Sequence, residues 1–132
     1  MKLNYALTCD NAFTDESGRI NIIQTFENIK ASDVPAIHPK FTVITNYLFE
    51  NDSEKGQEYT QLIELFFHDS NEMIASLSTK ATPPSASTSI NFIGYFVGIK
   101  FEKYGIYDIK IKLNGGDVKT LSIVVEKDGN NK

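Results

Sequence analysis

Apolar residues recur at every second position in short runs along this chain, separated by turn-forming residues at intervals of about a dozen. In "LNYALTC" the residues Leu3, Tyr5, Leu7 and Cys9 share one strand face, and in "FTVITNYLF" so do Phe41, Val43, Tyr47 and Phe49. "YTQLIELFF" aligns Tyr59, Ile63, Leu65 and Phe67, while Leu62 and Phe66 make its second face apolar too. "YDIKIKL" sets Tyr107, Ile109, Ile111 and Leu113 against Asp108, Lys110 and Lys112, and "LSIVV" adds Leu121, Ile123 and Val125. "INFIGYFVGIKF", residues 90–101, is apolar on both sides. It reads as a central strand, with Gly94 or Gly98 at a bend or a close backbone approach. No stretch of ten residues has helical spacing, and no internal repeat is evident.

The turns refine the pairing. In "FTDESGRI", Asp15 is placed to bond the backbone ahead of it and Gly18 to supply a positive φ. A four-residue "DESG" loop would set Phe13 opposite Ile20 and Leu7 opposite Phe26. The alternation breaks between them, which predicts a bulge near Ile22–Ile23. In "KLNGGDVK" a two-residue "GG" loop would put core residues on opposite faces. A three-residue loop, pairing Ile111 with Leu121 and Ile109 with Ile123, keeps the faces matched. "NDSEKGQ" (51–57) and "ATPPSASTS" (81–89) read as mobile loops, and residues 127–132 as a flexible tail.

About eight strands without helical crossovers predict an all-β, antiparallel two-sheet β-sandwich over residues 1–126, of immunoglobulin-like or jelly-roll topology. The 132-residue length suits one domain with an independent core. The formal net charge of −4 argues against a nucleic-acid or anionic-membrane partner, either of which needs a clustered basic face. No run approaches a membrane helix. The apolar stretch before Cys9 is broken by Asn4 and too short for a signal peptide, so a cytoplasmic location is expected. A single cysteine leaves no internal disulfide and suits a reducing compartment.

The residues Cys9, Asp10, Asp15, Gly18, Ile20, Ile22, Phe26, Pro35, Ala36, His38, Pro39 and Phe41 carry a wider pattern. It runs from Cys-Asp through an acidic turn with glycine, an apolar strand and a phenylalanine to "PAIHP" before a further strand. This resembles the opening of a family of short bacterial proteins known only as a domain of unknown function. Gly105 and Tyr107 resemble that family's later Gly-x-Tyr strand. Where the family pattern has a glycine before its phenylalanine, this chain has Gln24 and Thr25. The resemblance implies a β-sandwich and brings no catalytic residues with it.

Candidate chemistry is sparse. His38, held between Pro35 and Pro39, reads as a stiff corner carrying the chain between sheets, or else as a ligand contact. A nucleophilic triad of Cys9, His38 and Asp10 or Asp33 would need the thiol within reach of the imidazole. The strand phase instead buries Cys9 among apolar neighbours, where its pKa rises and it becomes inert. Asp10 is expected to cap a turn or pair with Lys40. His68 ends a strand at a turn, and neither histidine sits in a paired metal motif. The oxygen-rich loops at 10–18 and 49–56 lack calcium-loop spacing, and "NGGD" precedes a strand rather than the helix of a phosphate loop.

No catalytic residue, cofactor or metal is therefore expected. The leading expectation is a non-catalytic protein-binding or assembly module, pairing with another chain or with itself through an edge strand such as "SIVVE". Phe66, Phe92 and Phe96 are candidates for an outward aromatic interface. The rival is a small-ligand or carbohydrate-binding sandwich that uses the end near Asp10 and His38, with Asp33 and Lys40 as further candidates.

Overall fold

The structure is a computed structural model that describes residues 1–129. Nine strands are present among the described residues: β1 (Lys2–Thr14), β2 (Ile20–Thr25), β3 (Asn28–Ala31), β4 (Ala36–Leu48), β5 (Tyr59–Phe67), β6 (Glu72–Ala81), β7 (Ser89–Phe101), β8 (Gly105–Leu113) and β9 (Gly116–Lys127). They form two packed sheets, ordered β2-β1-β4-β7 and β3-β9-β8-β5-β6. The fold is an all-β two-sheet sandwich. Every pairing is antiparallel except β3 with β9, which is parallel. Of the tail expected over 127–132, Lys127 closes β9, the Asp128 N–H donates to the Ala31 carbonyl (3.0 Å), and residues 130–132 lie outside the described residues.

Strict alternation places the main core. Phe41, Val43, Phe96 and Phe101 from the first sheet meet Ile63, Leu65, Ile109, Ile111 and Ile123 from the second. Phe41 stacks on Phe96 with ring centroids 5.0 Å apart, and Phe101 meets Tyr107 edge-on at 4.9 Å. Phe92 and Phe96 are thus buried core residues, not the outward aromatics anticipated from sequence.

Three strand expectations need correction. The residues expected on one face of β1 are divided by an irregularity between Leu3 and Tyr5. Leu3 packs with Tyr47 in the inner core, while Tyr5, Leu7 and Cys9 face outward. The long β7 is an edge strand whose only ladder partner among the described residues is β4, not a central strand. Its second apolar face is explained by the β1–β2 hairpin, which folds back over the outside of its own sheet. The Tyr95 hydroxyl accordingly donates to the Ala12 carbonyl (2.9 Å), and Ile20, Ile22 and Ala12 cover Ile44 and Ile93. The "SIVVE" edge is partly covered, because β3 pairs with Val124–Lys127 and leaves Ser122 and Ile123 without a partner strand on that side among the described residues.

Both hairpin registers also differ from expectation. The first loop is five residues long, pairing Thr14 with Ile20 and Ala12 with Ile22. Register is continuous through Ile22–Ile23, and the disturbance falls instead at Gln24, whose φ is +53°. The Asp15 carboxylate accepts from the Ser17 and Arg19 amides, and Gly18 has φ +83°, as the turn chemistry required. In the last hairpin the turn is Asn114–Gly115, with φ of +48° and +85°. A shift between Ile111 and Lys112 restores matched faces, pairing Ile109 with Leu121 and Tyr107 with Ile123. Asn-Gly is the residue pair that accommodates two successive positive φ values, and its two-residue turn with a bulge replaces the expected three-residue loop.

Candidate functional site

The chain passes from β3 to β4 through Ser32–Pro35, and this is the sheet-to-sheet corner. His38 lies beyond it, inside β4, so it is not itself the corner. Its ring stands 6.1 Å from that of Phe26 and 6.0 Å from that of Phe41, on the inner side of the sheet. Pro39 and Gly98 would be opposite one another in the β4–β7 ladder, but that rung is missing, and Gly98 has φ +65°. Proline cannot donate there, and glycine alone adopts the required backbone freely. Both strands change phase at this point, which turns Ile99 and Phe101 inward beyond it.

The four residues singled out from sequence do not converge. Asp33 sits exposed at the corner, accepting from the Val34 amide (2.9 Å), on the rim of a cleft of about 540 Å³ that His38 also lines. Lys40 lies on the outer side of the sheet, where its ammonium donates to Asn11 Oδ1 (3.0 Å) and stands 4.6 Å from the Tyr95 ring centroid. It pairs with Asn11 rather than with Asp10. The Asp10 carbonyl accepts from the Thr42 hydroxyl (3.4 Å). Cys9 is fully buried on that outer side, beneath the β1–β2 hairpin, whereas His38 faces inward. Burial, followed by the neighbouring Asp10 carboxylate, raises the thiol's pKa.

A second cleft opens at the same end of the sandwich, between the edges of the two sheets. β6 ends one sheet and β7 ends the other, and they meet side by side. At mid-length the seam is tight: a Cβ added to Gly94 would lie 2.9 Å from Leu77 Cδ1 and 3.2 Å from Ile63 Cδ1. Beyond the Gly98 bend the strands part around a cleft of about 530 Å³. Its floor is Phe67 and Tyr107, with ring centroids 5.0 Å apart. Tyr107 is held by its own turn, its hydroxyl donating to the Lys103 carbonyl (2.7 Å) and accepting from the Lys103 amide (3.3 Å). Met73 and Ile74 wall one side, Gly98 and Ile99 the other.

Glu72, Lys100, Glu102 and Lys103 ring this cleft, yet no ion pair among the described residues joins any two of them. The Lys103 ammonium instead stands 5.6 Å from the Phe67 ring centroid. Burial, with Glu102 and Glu72 adding like charge, raises the Tyr107 hydroxyl's pKa.

Directly behind the floor, on the outer face of β5 and β8, His68 Nδ1 stands 2.7 Å from Asp108 Oδ2. The Ser122 hydroxyl donates to the other carboxylate oxygen (3.4 Å). The carboxylate lies between imidazole and hydroxyl, so the imidazole does not activate the serine, as a Ser-His-Asp triad would require. The hydrogen bond and charge of Asp108 raise the His68 pKa. Neither this pair nor the cleft was recognised from sequence. The signal for the pair was present, since strand phase puts His68 and Asp108 on the polar face of adjoining strands, but the β5–β8 register was needed to see it.

These features define a two-sheet β-sandwich whose two edge strands part at one end over an aromatic floor. The chain belongs to a family of unknown function, DUF6941, whose model matches residues 4–126. No curated protein matches it. No helix among the described residues is long and apolar enough to cross a membrane.

Proposed function

We propose that the protein is a non-catalytic binding module and that its working surface is the cleft between β6 and β7. The observation that carries this reading is the coincidence, where two sheet edges separate, of a cavity, an aromatic floor and a rim of charges that form no ion pair among the described residues. The lining is mixed, with Glu72, Lys100, Glu102 and Lys103 around the exposed Met73, and concave sites of this size are where proteins hold ligands. The interaction edge therefore moves from "SIVVE", whose last three residues β3 covers, to β7 and β6.

The test is an amide chemical-shift map against a library of small soluble fragments. Hits clustering on 72–74 and 98–103 support the reading. A screen with no hit there, or with hits confined to other faces, overturns it.

The second cleft favours one further reading, a small polar ligand held between His38, Asp33 and Lys30. A His38→Ala protein that keeps its fold but loses a thermal shift given by a sugar or metabolite would establish that alternative. The absence of any such ligand-induced shift in the parent protein would dismiss it.

A further inference from the structure

The final turn carries a reactive pair that the fold restrains. Asn114 is the one asparagine of the chain followed by glycine, and both residues are exposed at the tip between β8 and β9. Gly115 has no Cβ to hinder the approach of its main-chain nitrogen to the Asn114 side-chain carbonyl. In that reaction the nitrogen gives up its proton to water and bonds to Asn114 Cγ, and the Cγ–Nδ2 bond breaks with loss of ammonia. Water then opens the succinimide at either carbonyl. One opening leaves aspartate; the other leaves isoaspartate, with the main chain rerouted through the side chain. Water is the only co-reactant.

The Gly115 N–H donates to no acceptor among the described residues, so the nucleophile is free. Geometry opposes the union. φ is +48° at Asn114 and +85° at Gly115. Two successive positive values mark the type I′ turn, in which ψ of the first residue is about +30°. Closing the five-membered ring eclipses the Gly115 nitrogen with the Asn114 Cβ, which needs ψ on the opposite side of the circle. Asn114 is also tied to β5 at two points: its Oδ1 accepts from the Thr60 amide (2.9 Å) and its own amide donates to the Thr60 carbonyl (2.9 Å). The ring closes only after the turn opens and the Oδ1 bond is released.

We infer that Asn114–Gly115 is a site of spontaneous isoaspartate formation that the native turn holds shut, so that conversion there records unfolding of the β8–β9 hairpin and then weakens it. The two products differ in consequence. Aspartate keeps an acceptor oxygen for the Thr60 amide. Isoaspartate adds a methylene to the main chain of a two-residue turn, and the register that sets Leu113 and Val118 in the core depends on that turn.

The experiment incubates the whole protein at mildly alkaline pH across a urea series, beside a synthetic peptide of residues 113–119. Trypsin releases the same segment from the protein, since Lys112 and Lys119 bound it. Peptide mapping reads deamidation, and enzymatic methylation reads isoaspartate. In the folded protein conversion runs about tenfold or more slower than in the peptide, because opening limits it. Through the unfolding transition the rate rises with the unfolded fraction to the peptide's value. Returned to native buffer, molecules carrying isoaspartate unfold at lower urea than unmodified ones, whereas the Asn114→Asp protein keeps its midpoint.

A folded rate equal to or above the peptide's overturns restraint by the turn. Absence of isoaspartate from the unfolded chain overturns the site itself. Isoaspartate molecules as stable as unmodified ones, or an Asn114→Asp protein as weakened as they are, overturn the assigned consequence.

Discussion

His68 has an acceptor carboxylate 2.7 Å away, and this contact exists only when β5 and β8 are paired. Its folded pKa is therefore raised above the ordinary 6.5, with the Asp108 hydrogen bond as the leading cause. The linkage has a definite sign: the contribution to stability is complete below the unfolded pKa and is lost as pH rises through the raised folded value. Asp108→Asn should return the His68 titration midpoint toward 6.5. It should also flatten the decline of Tm between about pH 6 and 8, since that decline comes from the pair. An NMR titration of the two proteins checks both; equal midpoints would contradict the assigned contact. At Cys9 the expectation is kinetic. A fully buried thiol with a raised pKa reacts with a thiol reagent far more slowly in the native protein than after denaturation. Equal rates would place the sulfur at the surface. In the core, Gln61 Oε1 accepts from Thr45 Oγ1 (2.8 Å) and from the Tyr47 hydroxyl (2.6 Å), whose pKa burial pushes up to about 12. Its Nε2 is buried with no partner. Gln61→Leu strands two buried hydroxyls and should cost about 1–3 kcal/mol for each. The triple change Thr45→Val, Tyr47→Phe, Gln61→Leu should cost less than the single one, because no polar group is left behind. Denaturant unfolding separates the two outcomes.

Strands are where the chain was most and least legible. β5 alternates buried and half-buried residues without a break, so Tyr59, Ile63, Leu65 and Phe67 were read correctly from period alone. The same rule failed on β1, where the irregularity at Asn4 moves Leu3 to the opposite face. It failed again on β7, because a strand covered on both faces looks central whether a neighbouring strand or a folded-back hairpin does the covering. β3 escaped notice because it is four residues long and its partner is the last strand, a parallel pairing that no local pattern announces. The candidate site was illegible for a related reason. Its floor comes from β5 and β8 and its walls from β6 and β7, so its residues meet only through sheet order. Turn chemistry was legible but underused. Gly115 at φ +85° has an Asn before it and is the second residue of the final turn. Gly115→Ala should cost about 1–2 kcal/mol, the strain of a left-handed L-residue, whereas Gly116→Ala, which lacks a positive φ, should cost less. Thermal unfolding of both variants would show it, and an equal loss would argue for "GG" as the turn.

At the scale of the molecule, β2 and β3 bound one side of the sandwich and β6 and β7 the other. Phe26 fills the first side, its amide donating to the Thr8 carbonyl (3.1 Å) as the chain crosses between sheets. On the second side the chain crosses from β7 to β8 through residues 102–104, yet beyond Gly98 the edge of β7 has no ladder partner among the described residues other than β4 and borders the cleft. The functional reading depends on that edge being open in solution. Amide hydrogen exchange of the free protein at low concentration tests this most directly. The outward amides among Val97–Phe101 should exchange rapidly while those of Phe41–Tyr47 on β4 remain protected. Protection of 97–101 equal to that of β4 would mean the edge is already covered, and the binding surface proposed above would not exist.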